Sequence, residues 1–230
     1  LAVVLPKHGE DIRKVILFAR EHRLSLIPRA AGTSLAGQCV GDGIVVDISK
    51  YLNRILEVNA EEGWVRVQPG VVRDELNVFL KSHGLFFGPN TSTANRAMIG
   101  GMVGNNSCGT TSIVYGSTRD HVLELKTILS DGSDATFHAL SPEALQQKLQ
   151  GDTLESKVYR QLYEALSRPE QQQAIRENYP KASIHRRNTG YAVDVLLDAQ
   201  PFRPEGEAFN LCKLLSGSEG TLAFTTEIKL

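Results

Sequence analysis

The sequence predicts a globular chain of mixed strands and helices, and three observations point to it. Two short apolar runs flank one helical period near the start, two Gly-containing turns sit between alternating runs, and residues 141–180 repeat with a helical period. At roughly 100–200 residues per domain, 230 residues make one large domain or two interleaved small ones. The 41% hydrophobic and 22% charged composition supplies a real core and argues against disorder.

Taken in order, residues 2–5 (AVVL) read as a buried strand. From Gly9 to His22, Ile12, Val15, Ile16 and Ala19 share one helical face, and Leu24–Ile27 form a second strand. Strand, helix and strand in so short a span imply a right-handed parallel crossover, whose strand ends present loops at one edge of the sheet. Ile44–Ile48 form a third strand after the Asp42-Gly43 turn. Ile55–Asn59 and Trp64–Gln68 pair as a hairpin around Glu61-Glu62-Gly63. Val72, Leu76, Phe79 and Leu80 mark a helix closed by Gly84. Leu123–Leu129 and Ala135–His138 are joined by the hairpin signal Asp131-Gly132. Leu145, Leu149, Val158, Leu162, Tyr163 and Leu166 then form the apolar stripes of a peripheral helical insert, and such stripes read as core. The sequence stops within an alternating strand through Ile228 and Leu230, so further chain is expected beyond it.

Two stretches carry chemistry. PRAAGTSLAGQ, Pro28 to Gln38, follows the second strand and consists almost wholly of small residues, so ligand oxygens can approach its backbone N–H groups. Gly32 and Gly37 enclose four residues, the spacing of a P-loop, but Gln38 and Cys39 stand where a P-loop needs Lys and then Ser or Thr. The loop suits a phosphate that is bound and left intact; an ordinary small-residue turn explains it equally well. Phe87 to Gly109 is read as a second long glycine-rich loop, whose Asn, Ser and Thr side chains donate hydrogen bonds without adding charge. A buried crossover with glycines for close packing is the alternative.

Other chemistry is set aside on the residues themselves. Ser216-Gly217-Ser218-Glu219-Gly220 lacks the first glycine of a hydrolase elbow. His8, His22, His83, His121, His138 and His185 form no metal-binding pair, and Cys39, Cys108 and Cys212 have neither metal spacing nor an even count, so a reducing compartment is expected. Cys108, between small residues, reads equally as a reactive thiol or a packing residue. With a net charge of -1 and no Lys/Arg cluster beyond Arg186-Arg187, no nucleic-acid partner is expected, and no apolar run approaches a transmembrane segment.

The motifs PRAAGTSLAGQ, VQPGV (Val67–Val71), IGGMVGNNSCG (Ile99–Gly109), YGSTRDHVLELKTILSDG (Tyr115–Gly132) and GSEGTL (Gly217–Leu222), in that order, resemble the FAD-binding domain of the FAD-linked oxidases. This is the vanillyl-alcohol-oxidase or PCMH-type superfamily. The resemblance is nearest to its D-2-hydroxyacid dehydrogenase branch, which holds D-lactate and D-2-hydroxyglutarate dehydrogenases and the glycolate oxidase flavin subunit, and it is weakest over 141–185. It implies an α+β fold of two α/β subdomains with FAD between them. Residues 1–57 would form the first subdomain and 58–230 the second, with the insert near 141–185. Arg29, Ala30, Ala31, Gly32, Thr33 and Ser34, with Gly37 and Gln38, would hold the pyrophosphate. Pro89, Asn90 and Thr93, then Gly100, Gly101, Asn105, Asn106, Ser107 and Gly109, would line the isoalloxazine, ribityl and pyrophosphate side. Glu219, Gly220 and Leu222 would close over the cofactor.

Two departures stand out. Ala30-Ala31 replaces a frequent Gly-Gly, which matters only if one of them needs a positive φ. Thr33 stands where covalent flavoproteins of the superfamily commonly carry a histidine, so noncovalent FAD is expected. The reaction implied is oxidation of a small D-2-hydroxy acid by hydride transfer to flavin N5, with electrons passing to an acceptor other than NAD. A C-terminal cap domain, absent from this chain, would supply the substrate arginine, metal ligands and base, so no catalytic residue is assigned. Arg119, Asn188 and Tyr191 lie in motifs that face either the flavin or the scaffold. The expected location is cytoplasmic, with peripheral membrane attachment open through the full-length protein. A flavin-free nucleotide-phosphate binder, or a flavin-fold module that has lost its ligand, are the rival readings.

Overall fold

The computed structural model describes residues 2–230 except 182, 185, 188 and 189. Strands β1 (Ala2–Val4), β2 (Leu26–Arg29) and β3 (Ile44–Asp47) form a parallel sheet in the order β1-β3-β2. Helix α1 (Gly9–Glu21) makes the crossover and buries Ile12, Ile16 and Ala19. The sequence reading of β1 as buried is corrected here. It is an edge strand, with Val3 66% exposed, because β3 covers one side only and its faces receive little of the α1 stripe. The second strand starts at Leu26 rather than Leu24, since Arg23 takes a positive φ of 55° and the amide of Leu24 still bonds the carbonyl of Ala19 in α1.

The larger sheet contains β4 (Ile55–Asn59), β5 (Trp64–Val67), β6 (Glu124–Ile128), β7 (Asp134–His138) and β8 (Phe224–Lys229), ordered β4-β5-β8-β6-β7 and antiparallel throughout. The two expected hairpins are β4-β5 and β6-β7, their turns relaxed by Gly63 and Gly132 at positive φ. Between β5 and β6 the last strand intervenes, so Ile228 lies opposite both Val67 and Leu125, and all three are wholly buried.

Helix α2 (Arg73–Lys81) buries Leu76 and Leu80, while Phe79, expected on the same stripe, is 39% exposed. After it, Gly84 adopts φ +71° and its N–H closes the helix end on Lys81. The long loop expected over Phe87 to Gly109 is corrected: residues 99–105 form helix α3 (Ile99–Asn105). Ile99, Met102 and Val103 supply the i, i+3, i+4 stripe, all nearly inaccessible, and tertiary burial overrides the poor helix propensity of three glycines. Short helices α4 (Ser112–Tyr115) and α5 (Thr118–His121) follow, the latter opened by a capping box of Ser117 and Asp120.

Over residues 141–180 the chain forms α6 (Pro142–Gln150), α7 (Leu154–Leu166) and α8 (Pro169–Asn178). Ser141 and Thr153 cap the first two with their side-chain oxygens. Tyr159 packs between Phe137 and Phe209, and Leu145 and Leu166 are buried in the same cluster, so the helices add to the main core. The remaining short helices are α9 (Val193–Leu197) and α10 (Cys212–Leu215). A smaller core joins the two sheets, with Ile12, Ile16, Val46 and Leu52 packed alongside Ile128 and Phe224. No helix among the described residues is long and apolar enough to cross a membrane.

Candidate functional site

Three segments converge on a cleft of about 460 Å³. The first is the 30–38 loop, which leaves the C-terminal end of the parallel strand β2. Arg29, Ala30, Ala31, Gly32, Thr33, Ser34 and Gln38 all line the cleft. Among the described residues, none accepts a hydrogen bond from the backbone N–H groups of Ala31, Gly32, Thr33 and Ser34, so four successive donors stay open to a ligand. Gly32 takes φ +66°, while Ala30 and Ala31 are absent from the positive-φ residues, so the Ala-for-Gly departure costs nothing. Gly37, φ +75°, stands at the lip outside the lining, and a side chain there would meet nothing within 4 Å.

The second wall is α3. Gly101 faces Ala30, where a Cβ would come within 3.3 Å of that residue's Cβ, and Gly104 faces the backbone of Glu219. Gly100 also reaches the cleft, but its own missing side chain makes room for Pro69: a Cβ would lie 2.5 Å from the proline's. Asn105 donates to the Ser107 hydroxyl at 3.0 Å, and both line the cleft together with Thr93.

The third wall is the 216–222 loop, latched onto α3 by Gly217 N–H to Val103 C=O (2.9 Å) and Glu219 N–H to Gly104 C=O (2.8 Å). Glu219 and Gly220 line the cleft with positive φ of 53° and 75°. A non-glycine residue in that region is a strained conformation held by its surroundings. Across the opening, Gln38 donates to the Glu219 carboxylate at 3.2 Å, joining the first wall to the third.

Five other expected residues lie outside the lining, along with Gly37. Pro89 is buried and its carbonyl accepts from Arg73; Gly109 packs on the backbone of Asn90, where a Cβ would sit 1.4 Å from the carbonyl oxygen. Asn106 is the left-handed C-cap of α3, 1% exposed, and accepts the backbone N–H of Arg119. Leu222 faces a second hollow between α1 and α7. Arg119 sits behind the third wall, and burial pushes its guanidinium pKa down. Tyr191 touches that wall through a 2.7 Å hydrogen bond to Thr221, and Asn188 lies outside the described residues.

Sequence reasoning missed Thr91, Ser92, Gly104 and Ser218, which line the cleft within the motifs already singled out. Their small polar character was the available signal. Cys39, Cys108 and Arg186 also line it, Arg186 donating to the Cys108 sulfur at 3.0 Å; nothing local in the sequence marks that pairing. The Thr91 hydroxyl is buried at the cleft with no partner among the described residues.

The charged side chains of the lining are few: Arg29, 3.6 Å from Asp47, with Arg186 and Glu219. A glycine-floored trough with open N–H donors and little formal charge fits a dinucleotide whose phosphates are met by dipoles. Structural comparison finds the same fold elsewhere. A solved structure of alkyldihydroxyacetonephosphate synthase matches with a TM-score of 0.61 at 18% identity, over 99% of this chain and 33% of that one.

Residues 1–136 match the family described as FAD binding domain, and the chain belongs to that family. It is 40% identical to D-2-hydroxyglutarate dehydrogenase of Escherichia coli K12 over 232 aligned residues, and 42% identical to the Pseudomonas putida protein of the same name. Both alignments cover 100% of this chain and 22% of the relative, so the chain spans under a quarter of the proteins it resembles. Glycolate oxidase subunit GlcD of Bacillus subtilis is 36% identical over 57% of this chain and 28% of its own length.

Proposed function

We propose that the cleft holds FAD noncovalently, and that this chain is the flavin-binding part of a dehydrogenase that oxidises a small D-2-hydroxy acid. The observation carrying this reading is the run of four open amides from Ala31 to Ser34 on a strip with almost no side-chain bulk. Those amides would meet the pyrophosphate, Gly101 and Gly104 would let the extended cofactor lie against α3, and Glu219 and Gly220 would close the third side. Bound FAD would supply a two-electron acceptor. The chain itself would orient the cofactor and shield it from water on three sides. No histidine among the described residues lines the cleft, which favours a dissociable flavin.

The two sheets favour two subdomains divided just before β4 (Ile55–Asn59), a little ahead of the 1–57 and 58–230 division expected from the sequence, with 141–185 as the insert. The rest of a longer polypeptide would supply the substrate pocket and pass electrons to an acceptor other than NAD. A cytoplasmic location, with any membrane attachment peripheral, completes the reading.

Titrating FAD into the apoprotein should quench or shift the flavin signal with saturation, and acid precipitation should leave all flavin in the supernatant. Failure to take up FAD, with uptake of magnesium ATP instead, would sink the flavin reading. In the full-length protein, anaerobic addition of D-2-hydroxyglutarate or D-lactate should bleach the flavin band while the L-enantiomers leave it unchanged.

A further inference from the structure

Arg119, on α5, is 7% exposed, and its guanidinium meets carbonyl oxygens at the end of α10 instead of a carboxylate. Nε donates to Lys213 C=O at 2.9 Å and to Ser216 C=O at 3.1 Å, and Nη2 donates to Ser216 C=O at 2.7 Å. Its backbone N–H donates to Asn106 Oδ1 at 2.8 Å, and Lys213 Nζ reaches back to its carbonyl at 3.4 Å. One residue therefore ties the last turn of α3 to the segment that becomes the third wall of the cleft.

The contact continues into that wall. Gly217, at φ +99°, lies directly on the guanidinium, since a Cβ there would stand 2.7 Å from Nη2. Ser218, Glu219 and Gly220 follow at once and line the cleft, and Glu219 is held in its positive-φ conformation with its N–H on Gly104. Burying a guanidinium against neutral carbonyls carries a desolvation cost that a well-packed apolar residue would avoid. What the guanidinium adds is a planar fork of fixed geometry that fastens two carbonyls three residues apart.

From this geometry we infer that Arg119 is a positioning residue, which sets the 216–220 loop against α3 and so preforms the flavin cleft without touching the cofactor. The inference rests on the FAD reading for its consequence and on the loop geometry for its cause, and the two are tested separately.

Arg119→Gln and Arg119→Lys are compared with Leu145→Ala, a core truncation in α6 remote from the cleft. For Arg119→Gln we expect an FAD dissociation constant raised about tenfold or more, with the bound flavin's absorption and fluorescence moved toward those of free FAD. Leu145→Ala should lower the melting temperature comparably yet keep the wild-type affinity and spectrum. Arg119→Lys keeps the charge but loses the fork, and should fall between. If Arg119→Gln does not fold, Arg119→Lys carries the comparison.

Amide hydrogen exchange without flavin gives the independent readout. Residues 216–222 and 104–107 should exchange faster in Arg119→Lys than in wild type or in Leu145→Ala. Wild-type affinity and spectrum in the Arg119 variants, or equal exchange in all three, would overturn the inference. A wild-type protein that takes up no FAD would defeat the cofactor reading alone, and the exchange data would still decide what Arg119 does.

Discussion

The loop from Ala30 to Gln38 and the segment from Gly88 to Gly109 are both rich in glycine, yet they use it in opposite ways. In the first, Gly32 and Gly37 supply positive φ on an exposed strip whose amides from Ala31 to Ser34 meet no acceptor among the described residues. In the second, Gly88, Gly100 and Gly109 are spaces already filled, by Tyr115, Pro69 and Asn90 respectively. Only Gly101 and Gly104 of that segment leave room at the cleft. Glycine counts alone thus cannot separate a ligand site from a packing contact; what lies opposite the missing Cβ decides.

Substitution by alanine would break or sharpen this contrast. Gly109→Ala should be the most severe, because its Cβ would fall 1.4 Å from the Asn90 carbonyl oxygen, backbone that has no free direction to move. A loss of about 4 kcal/mol or more is expected, read as a melting temperature lower by roughly 8 °C or more. Gly100→Ala meets the Pro69 ring and carbonyl, and should cost about 2 kcal/mol as overpacking; an unchanged melting temperature would show that α3 can slide away from Pro69.

In the open loop the balance reverses. Gly32→Ala meets mainly the movable end of the Arg29 side chain, so the stability cost should be about 1 kcal/mol of left-handed strain, whereas FAD affinity should fall about tenfold. Gly37→Ala carries the same kind of strain with nothing nearby and lies outside the lining, so affinity should hold. Equal affinity losses in both would mean that the cleft extends over the lip.

The cysteines give the mildest test. Cys39 and Cys108 line the cleft, so thiol reagents should reach them in the native protein and FAD should protect them. Cys212, wholly buried, should react only after unfolding. Burial pushes its thiol from 9.0 up to about 12, so the neutral form is favoured in the folded state. The stability this contributes is complete below pH 9.0 and is lost as pH rises toward 12. In alkaline melts, Cys212→Ala should therefore lose less stability across that window than wild type.

Local signals carried much of the fold. The α1 stripe, the hairpin turns and the small-residue loop after β2 each depend on neighbours within a few positions, and each is where the pattern placed it. Helix α3 was illegible because its glycines oppose a helix, and only packing of Ile99, Met102 and Val103 rescues it. Exposure of β1 was hidden as well, since an apolar run reads alike at an edge or in the centre of a sheet. For the site, every residue expected in the first wall except Gly37 lines the cleft. Arg186, the role of Arg119 and the departure of Asn106 from the lining depend on contacts between segments up to about a hundred positions apart, which no local pattern encodes.

The place of β8 has a consequence for how the molecule is made. Because residues 224–229 wedge between β5 and β6, a nascent chain made only as far as residue 200 holds two hairpins with bare inner edges and no partner for either. Such edges invite pairing with other nascent chains. The larger sheet can close only once residues 224–229 have emerged, which makes its completion a slow, non-local event.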